Sequence, residues 1–390
     1  MHRKVHISFL GIGFGHAMRM RNIAATLKDK GFEVTFSSSG VPASYFTSLG
    51  LKGWCLEDFK YLWTVEGSFS FYKLISRSKN LSSVTYHYLE KELSIIGKVR
   101  PDVLVSDSRL DALLAAKMFG IKTIAITNQL RILATCARKK RSIKWLENLE
   151  ANVLGMLWRT SDELLFPDLP PPYTISEENL CDVTAVKGKE KFIGFLARNG
   201  SHPSKKTEEL VNKMTEKRRK TLVFAPLSGP VTTIRPVLNQ LVIAAKETSN
   251  RRVYVIALGQ PAGLVQRSEI EGGFIYNWCE DVQGFFSLAD VAVIRGGHSS
   301  IANGIIYGKP MIVIPIENHT EQYANARKVH KLGIGRMAEL KNLDGQRLTD
   351  GIDTLLTDYS FASNISSLSK IANQMDGVKY TVDQITKYFN

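Results

Sequence analysis

A histidine closes the first glycine-rich loop of the chain, where the apolar run Val5 to Leu10 enters Gly11-Ile12-Gly13-Phe14-Gly15-His16. Glycines at alternate positions permit a tight strand-to-helix turn and close backbone approach to a phosphate. An imidazole there, with an unperturbed pKa near ~6.5, has two readings: a base that accepts a proton from an attacking hydroxyl, or a capping and packing residue. As a base it needs a carboxylate to orient it. Asp107, at the end of Val103-Leu104-Val105-Ser106-Asp107, is the first candidate, and helix capping is its other reading. Asn128 and Gln129 follow the run Thr123 to Thr127 and suit either acceptor binding or loop structure. A dinucleotide site fits poorly, because G-x-G-x-x-G breaks at His16 and Phe36-Ser37-Ser38-Ser39 lacks the ribose-binding acid.

The second half carries an anion-binding pattern. Thr221 to Ala225 leads into Pro226-Leu227-Ser228-Gly229-Pro230-Val231-Thr232-Thr233, a small-residue loop with hydroxyls but no Walker lysine. Asp290 to Ile294 leads into Arg295-Gly296-Gly297-His298-Ser299-Ser300-Ile301-Ala302-Asn303, with a helix expected from about Ser299. Backbone N–H groups at that helix start, together with Arg295, suit a diphosphate. After Met311 to Ile316 come Glu317-Asn318-His319-Thr320-Glu321-Gln322, where acid and amide can hold sugar hydroxyls or merely cap.

These loops need a scaffold that presents strand ends together. Short β-rich runs alternate with helical patterns from Val5 onward, and again from Thr221 through Val253 to Leu258, Phe274 to Trp278, Val291 to Ile294 and Met311 to Ile316. The expected fold class is α/β, with two doubly wound, Rossmann-like domains in tandem. Open parallel sheets bind ligands beyond the carboxyl ends of their strands, so the active site is expected in a cleft that the two domains face. Periodicity is lost around 167 to 204, amid Pro167, Pro170, Pro171 and Pro172. The domains are therefore drawn as 1–198 and 199–372, with a terminal helix over about 373–390 that returns to the first.

Composition narrows the partners. The 390 residues include 51 Lys and Arg against 37 Asp and Glu, a formal charge of +14, which favours an anionic partner. No nucleic-acid motif is present, and no apolar run approaches the ~20 residues that cross a bilayer. The charged N-terminus runs into the glycine loop, as a buried strand would, rather than into a signal-peptide cleavage site. Four scattered cysteines without a C-x-x-C pair suggest reduced thiols, hence a cytoplasmic protein. Arg131, Arg138, Lys139, Lys140, Arg141 and Lys144 precede Trp145, Leu146, Leu149, Val153, Leu157 and Trp158 at helical spacing. That stretch reads either as an amphipathic helix lying on anionic lipid at the inner face of the membrane, or as a core-facing helix with a solvated basic face.

Residues 276 to 326 resemble the donor-binding signature of GT-B glycosyltransferases, the superfamily of UDP-glucuronosyl and plant UDP-glycosyltransferases and of the bacterial enzyme that adds N-acetylglucosamine to lipid I. Counted back from Gly308-Lys309-Pro310, Asn303 stands where those families carry a ribose-binding glutamate, and Ser299 and Ser300 where they contact the diphosphate. Arg295 matches the arginine of the lipid I enzyme, Glu321-Gln322 the pair that holds the donor sugar, and Trp278 or its neighbours the segment over the uracil. The loop ending in His16 resembles the N-terminal loop that bears the base of the plant enzymes, and Asp107 suits their orienting aspartate.

The resemblance implies an inverting glycosyltransferase moving a hexose-type sugar from a nucleotide-sugar, a UDP-sugar by analogy, to an acceptor hydroxyl, with no cofactor. The donor residues it implies are Gly13, Gly15, Ser228, Gly229, Trp278, Arg295, Gly297, His298, Ser299, Ser300, Asn303, Glu321 and Gln322. No D-x-D occurs, which fits metal-independent GT-B enzymes. In the lipid-facing reading of the basic stretch the acceptor is lipid-linked, a polyprenyl phosphate, while soluble acceptors stay open. A UDP-sugar epimerase on the same scaffold and a non-catalytic nucleotide-sugar-binding subunit are the rival readings.

Overall fold

The computed structural model describes residues 3–57, 78–133, 141–197, 202–260 and 267–389, with side chains omitted for 78–85. The described residues form two compact units, one of those up to 197 joined by those from Met375 onward, the other of those from 202 to Gln374.

The first unit is built on a parallel sheet of β1 (Lys4–Phe9), β2 (Glu33–Ser39), β3 (Lys52–Leu56), β4 (Val103–Asp107), β5 (Lys122–Ile126), β6 (Glu163–Phe166) and β7 (Glu190–Phe192), ordered β3-β2-β1-β4-β5-β6-β7. Its helices are α1 (Phe14–Asp29), α2 (Gly40–Ser48), α3 (Ser78–Val99), α4 (Leu110–Met118), α5 (Arg141–Trp158) and the single turn α6 (Glu177–Leu180). Because side chains alternate across a strand, Val5, Ile7 and Phe9 enter one core while His6 and Ser8 face the other side. That core takes Ala17, Met20, Ile23, Ala24 and Leu27 from one stripe of α1, and Val378, Val382 and Ile385 from the terminal helix Gly377–Lys387. The i, i+4, i+7 spacing of the last three explains why the final residues return to this unit.

On the opposite face a buried polar layer seats α3. His6 bonds Thr35 and Ser37 through its two ring nitrogens at 2.9 and 3.0 Å. Glu92 of α3 accepts from Ser8, Ser37 and Arg109 at 3.2, 2.8 and 3.0 Å. Burial, aided by the Arg109 charge, lowers the His6 pKa to about 3, so the ring stays neutral.

In α5, Glu147, Ala151, Gly155 and Trp158 are buried, while Trp145, Leu146, Leu149, Val153 and Met156 are exposed along the other side. Of the two readings of this stretch, Trp158 follows the core-facing one and packs with Leu180, Val183 and Val186. Arg131 is buried and donates from Nη1 to the carbonyls of Glu178 and Cys181 at 2.7 and 3.3 Å, so it pins a loop. Arg138, Lys139 and Lys140 lie outside the described residues.

The second unit carries β8 (Thr221–Pro226), β9 (Arg252–Ala257), β10 (Arg267–Ile270), β11 (Gly273–Tyr276), β12 (Val291–Ile294), β13 (Met311–Val313) and β14 (Gly335–Met337), ordered β10-β11-β9-β8-β12-β13-β14. All pairs are parallel except β10 with β11. Its helices are α7 (Lys205–Met214), α8 (Val231–Glu247), α9 (Val282–Leu288), α10 (His298–Ile306), α11 (Thr320–Lys331), α12 (Gly345–Thr357) and α13 (Tyr359–Asn373), and the terminal helix of the first unit becomes α14. Its core sets Ile234, Val237, Leu241 and Ala244 of α8 and Leu348, Ile352 and Leu355 of α12 against Val223, Tyr254, Ile256, Val291, Val293 and Ile312.

Candidate active site

In the first unit strand order reverses at β1 and β4, the point where the loops from adjacent strand ends part and leave room for a ligand. Asp107 pairs in register with Phe9 on one side and Ile126 on the other, so it stands level with the ends of β1 and β5. The turn out of β1 depends on Gly13, which caps α1 at φ 67°, a conformation that an L side chain resists. Helix α1 therefore begins at Phe14 and carries His16 in its first turn, next to Gly15.

These elements converge on one cluster. His16 Nδ1 lies 3.1 Å from Asp107 Oδ1. The imidazole is 18% exposed and the carboxylate 0%. Among the described residues no group bonds Nε2. Arg19, one helical turn after His16, donates from Nε to Asp107 Oδ2 at 2.6 Å and from Nη2 to Oδ1. Ser108 adds a bond from Oγ to Oδ1 at 3.2 Å. Burial by itself raises the Asp107 pKa, but Arg19 and then His16 outweigh it and hold the carboxyl well below the usual range, so it stays ionised.

Asn128 does not lie open for an acceptor, as one reading of the sequence has it. It is buried, and its Oδ1 accepts from Arg19 Nη1 at 3.1 Å, because the long arginine side chain reaches across the strand ends. Gln129 sits in a turn closed by Thr127 Oγ1, which accepts from its backbone N–H at 3.1 Å and donates to its carbonyl at 3.0 Å.

In the second unit the order reverses at β8 and β12, and the donor candidates gather on the loops there. Arg295 leaves β12 and donates from Nη1 to the carbonyl of Thr233, in the first turn of α8, at 2.7 Å. Helix α8 begins at Val231, so Thr232 and Thr233 belong to it and only Ser228 and Gly229 remain in the loop before Pro230. The arginine is 0% exposed. Its Nε and Nη2 find no acceptor among the described residues. Burial pushes its pKa down to about 10, with Glu317 opposing, so it remains a cation at neutral pH.

Gly297 caps α10 without a side-chain bond, His298 opens the helix and is buried, and Ser299 and Ser300 are half-buried in its first turn. The close approach of Gly296 to α11 requires glycine, since a Cβ there would meet the Gln322 carbonyl oxygen at 2.4 Å. Asn325 Nδ2 donates to the Gly296 carbonyl at 3.0 Å and fixes this contact. Asn303, further along α10, has a buried Oδ1 with no hydrogen-bond partner among the described residues. Helix α11 is capped by His319, whose ring accepts from the Gln322 N–H at 3.5 Å. Gln322 Oε1 accepts from the Ile316 N–H at 2.9 Å and so braces the loop after β13. Glu321 is half-buried beside it, and Trp278 is half-buried in the turn after β11.

The tertiary structure adds Arg19 and Asn325, which sequence reading passed over, and gives Thr233 of the small-residue stretch a backbone role; all three tie candidate loops together. Of the two added residues, only Arg19 left a usable signal: a basic residue three positions after His16 shares its helix face.

Residues 232–379 match the glycosyltransferase family 28 C-terminal domain. An uncharacterized glycosyltransferase of Methanosarcina acetivorans is 24% identical over 377 residues, which cover 96% of each chain. The UDP-N-acetylglucosamine–N-acetylmuramyl-(pentapeptide) pyrophosphoryl-undecaprenol N-acetylglucosamine transferase of Finegoldia magna is 25% identical over 182 residues, 44% of this chain and 48% of that one. Among solved structures, the glycosyltransferase of kitacinnamycin matches at a TM-score of 0.69 with 19% identity over 99% of this chain and 98% of that one. The spinosyn rhamnosyltransferase SpnG complexed with thymidine diphosphate matches at 0.66 with 17% identity over 98% and 100%. The domain match, the full-length relatives and the likeness of fold agree, and the chain is a glycosyltransferase of the GT-B superfamily.

Proposed function

We propose that this glycosyltransferase is inverting and metal-independent, and moves a hexose-type sugar from a UDP-sugar to an acceptor hydroxyl. The observation that carries the reading is the 3.1 Å contact of His16 with a buried, ionised Asp107 at the switch point of the first sheet. In the reaction the acceptor oxygen bonds to the anomeric carbon as the bond from that carbon to the diphosphate oxygen breaks. His16 Nε2 takes the acceptor proton, and Asp107, facing Nδ1, steadies the imidazolium, as the carboxylate of a hydrolase triad does for its histidine. The departing diphosphate receives its stabilisation from the N–H groups at the start of α10 and from Arg295, fixed donors aimed at charge that develops during transfer. The half-buried Ser299 and Ser300 supply hydroxyls to the same phosphates, and Asn303 supplies an orphaned amide oxygen to a ribose hydroxyl. Glu321 and Gln322 hold the sugar, and Trp278 packs on the base.

Isothermal calorimetry with a panel of nucleotide-sugars tests the donor assignment. UDP-sugars are expected to bind, and dTDP-sugars more weakly. Heat from no member of the panel overturns the assignment.

For the acceptor we propose a polyprenyl-phosphate-linked sugar met at an anionic membrane. Trp145, 63% exposed, lines up with Leu149, Val153 and Met156 on one side of α5, while Arg141 and Lys144 stand exposed at its start. An apolar stripe flanked by cations suits the headgroup boundary of anionic lipid, where each basic residue contributes about 1 kcal/mol. The name of the Finegoldia magna relative, with its undecaprenol-linked acceptor, points the same way. Among the described residues no helix is long and apolar enough to cross a membrane, so the contact would be peripheral. In flotation with phosphatidylglycerol vesicles the protein is expected to rise with the lipid, and the Trp145→Glu, Leu149→Glu variant to stay behind. A wild-type protein that stays in the soluble fraction removes the lipid-surface reading.

A further inference from the structure

We propose that Arg19 is the positioning residue of the transfer reaction, clamping Asp107 and Asn128 so that His16 presents its Nε2 edge to the acceptor hydroxyl. The proposal rests on the reading of His16 as the base.

The guanidinium has donors on every side and no acceptor, and each of its nitrogens is engaged. Nε and Nη2 grip the two oxygens of Asp107, Nη1 holds Asn128 Oδ1 at 3.1 Å, and Nη2 stands 2.9 Å from His16 Nδ1. A bidentate fork fixes the plane of a carboxylate as well as its place. One planar group therefore registers residues from α1, the end of β4 and the loop after β5. Both partners are buried, and the cation stabilises a carboxylate that burial would otherwise drive toward its neutral form. A neutral carboxyl could not steady the imidazolium formed when His16 takes the proton.

Two groups compete for one ring nitrogen. Asp107 Oδ1 can bond Nδ1 only when that nitrogen carries hydrogen, whereas the Arg19 N–H can bond it only when it is bare. The first arrangement leaves a lone pair on Nε2 and the second leaves a proton there, so only the first is a base toward the acceptor. The two-point grip of Arg19 fixes the plane of Asp107 with Oδ1 3.1 Å from Nδ1, so that the carboxylate is in place whenever Nδ1 carries the hydrogen.

A double-mutant cycle tests this. Misplacement of a reacting group by about 1 Å costs about 10²-fold, so Arg19→Ala is expected to lower kcat by about that factor, with donor KM and donor affinity by calorimetry unchanged. Guanidinium chloride at millimolar concentration is expected to restore part of the lost kcat. In a His16→Ala background Arg19→Ala should lower kcat no further, because residues acting as one unit are not additive. If Arg19→Ala does not fold, Arg19→Lys runs the same cycle, since a lysine keeps the charge but cannot grip both oxygens.

An Arg19 variant that binds donor and keeps kcat within threefold of wild type overturns the proposal, as does a full further loss in the His16→Ala background. Should His16→Ala itself retain activity, the base assignment fails and this inference with it. If His16→Ala is inactive and Arg19→Ala is active, only the inference fails.

Discussion

His16→Ala is expected to lower kcat by about 10²- to 10⁴-fold, the span that a positioned general base contributes, while leaving the donor affinity and the fold in place. The sparing of the fold follows from the cluster itself. Removing the imidazole leaves Asp107 paired with Arg19 through both oxygens, so no buried charge loses its counterion. The donor affinity is spared because the side chains proposed to hold the donor, Trp278 to Gln322, belong to the other unit, and the glycines Gly13 and Gly15 beside His16 are unchanged in the variant. Steady-state kinetics together with calorimetry and a thermal melt check all three parts. A variant within threefold of wild-type kcat would remove His16 from the mechanism, and a lost melt would show that the residue acts through packing.

Arg295→Met is expected to separate binding from stability. A charge-assisted hydrogen bond contributes about 1.5–3 kcal/mol, so losing even one of those from Nε and Nη2 to a diphosphate weakens donor binding by about 10- to 100-fold. Stability should hold or rise. The guanidinium is fully buried, makes one bond to Thr233, and has no acceptor at its other nitrogens among the described residues, so the folded protein bears its desolvation with little return. Replacing a buried ion by an apolar side chain of similar length is often neutral or stabilising. Calorimetry with the bound nucleotide-sugar, beside a denaturant melt, reads both effects. A variant that binds donor as tightly as wild type contradicts the diphosphate role, and one that loses several degrees in its melt assigns Arg295 to the core.

The sequence by itself determined the two α/β units and the strand-end loops on which the candidate residues lie. Runs such as Val103 to Val105, buried on both faces, read as strands of a parallel sheet because they are continuously apolar, and glycine and small residues mark the turns beyond them. Elements at the margins were harder to read. Strand β10, Arg267-Ser268-Glu269-Ile270, is an exposed edge whose polar side chains carry no alternation, and only backbone pairing with β11 makes it a strand. The stretch from Arg131 to Trp158 reads either as a lipid-facing amphipathic helix or as a core-facing one, because periodicity does not say which side meets the core. The structure turns Trp158 and Arg131 inward and Trp145 outward.

The site divided in the same way. His16, Asp107 and Arg295 stood out as candidates because a histidine, an acid or an arginine at a strand-to-helix turn has few chemical uses. Their partners were not, because Arg19 meets Asp107 across 88 residues, Arg295 meets Thr233 across 62, and Asn325 meets Gly296 across 29. Composition and periodicity describe neighbours along the chain. Which buried charge satisfies which, and hence that Asn128 Oδ1 accepts from Arg19, is settled only when distant strand ends are brought level and the cost of an unpaired buried group selects the pairing.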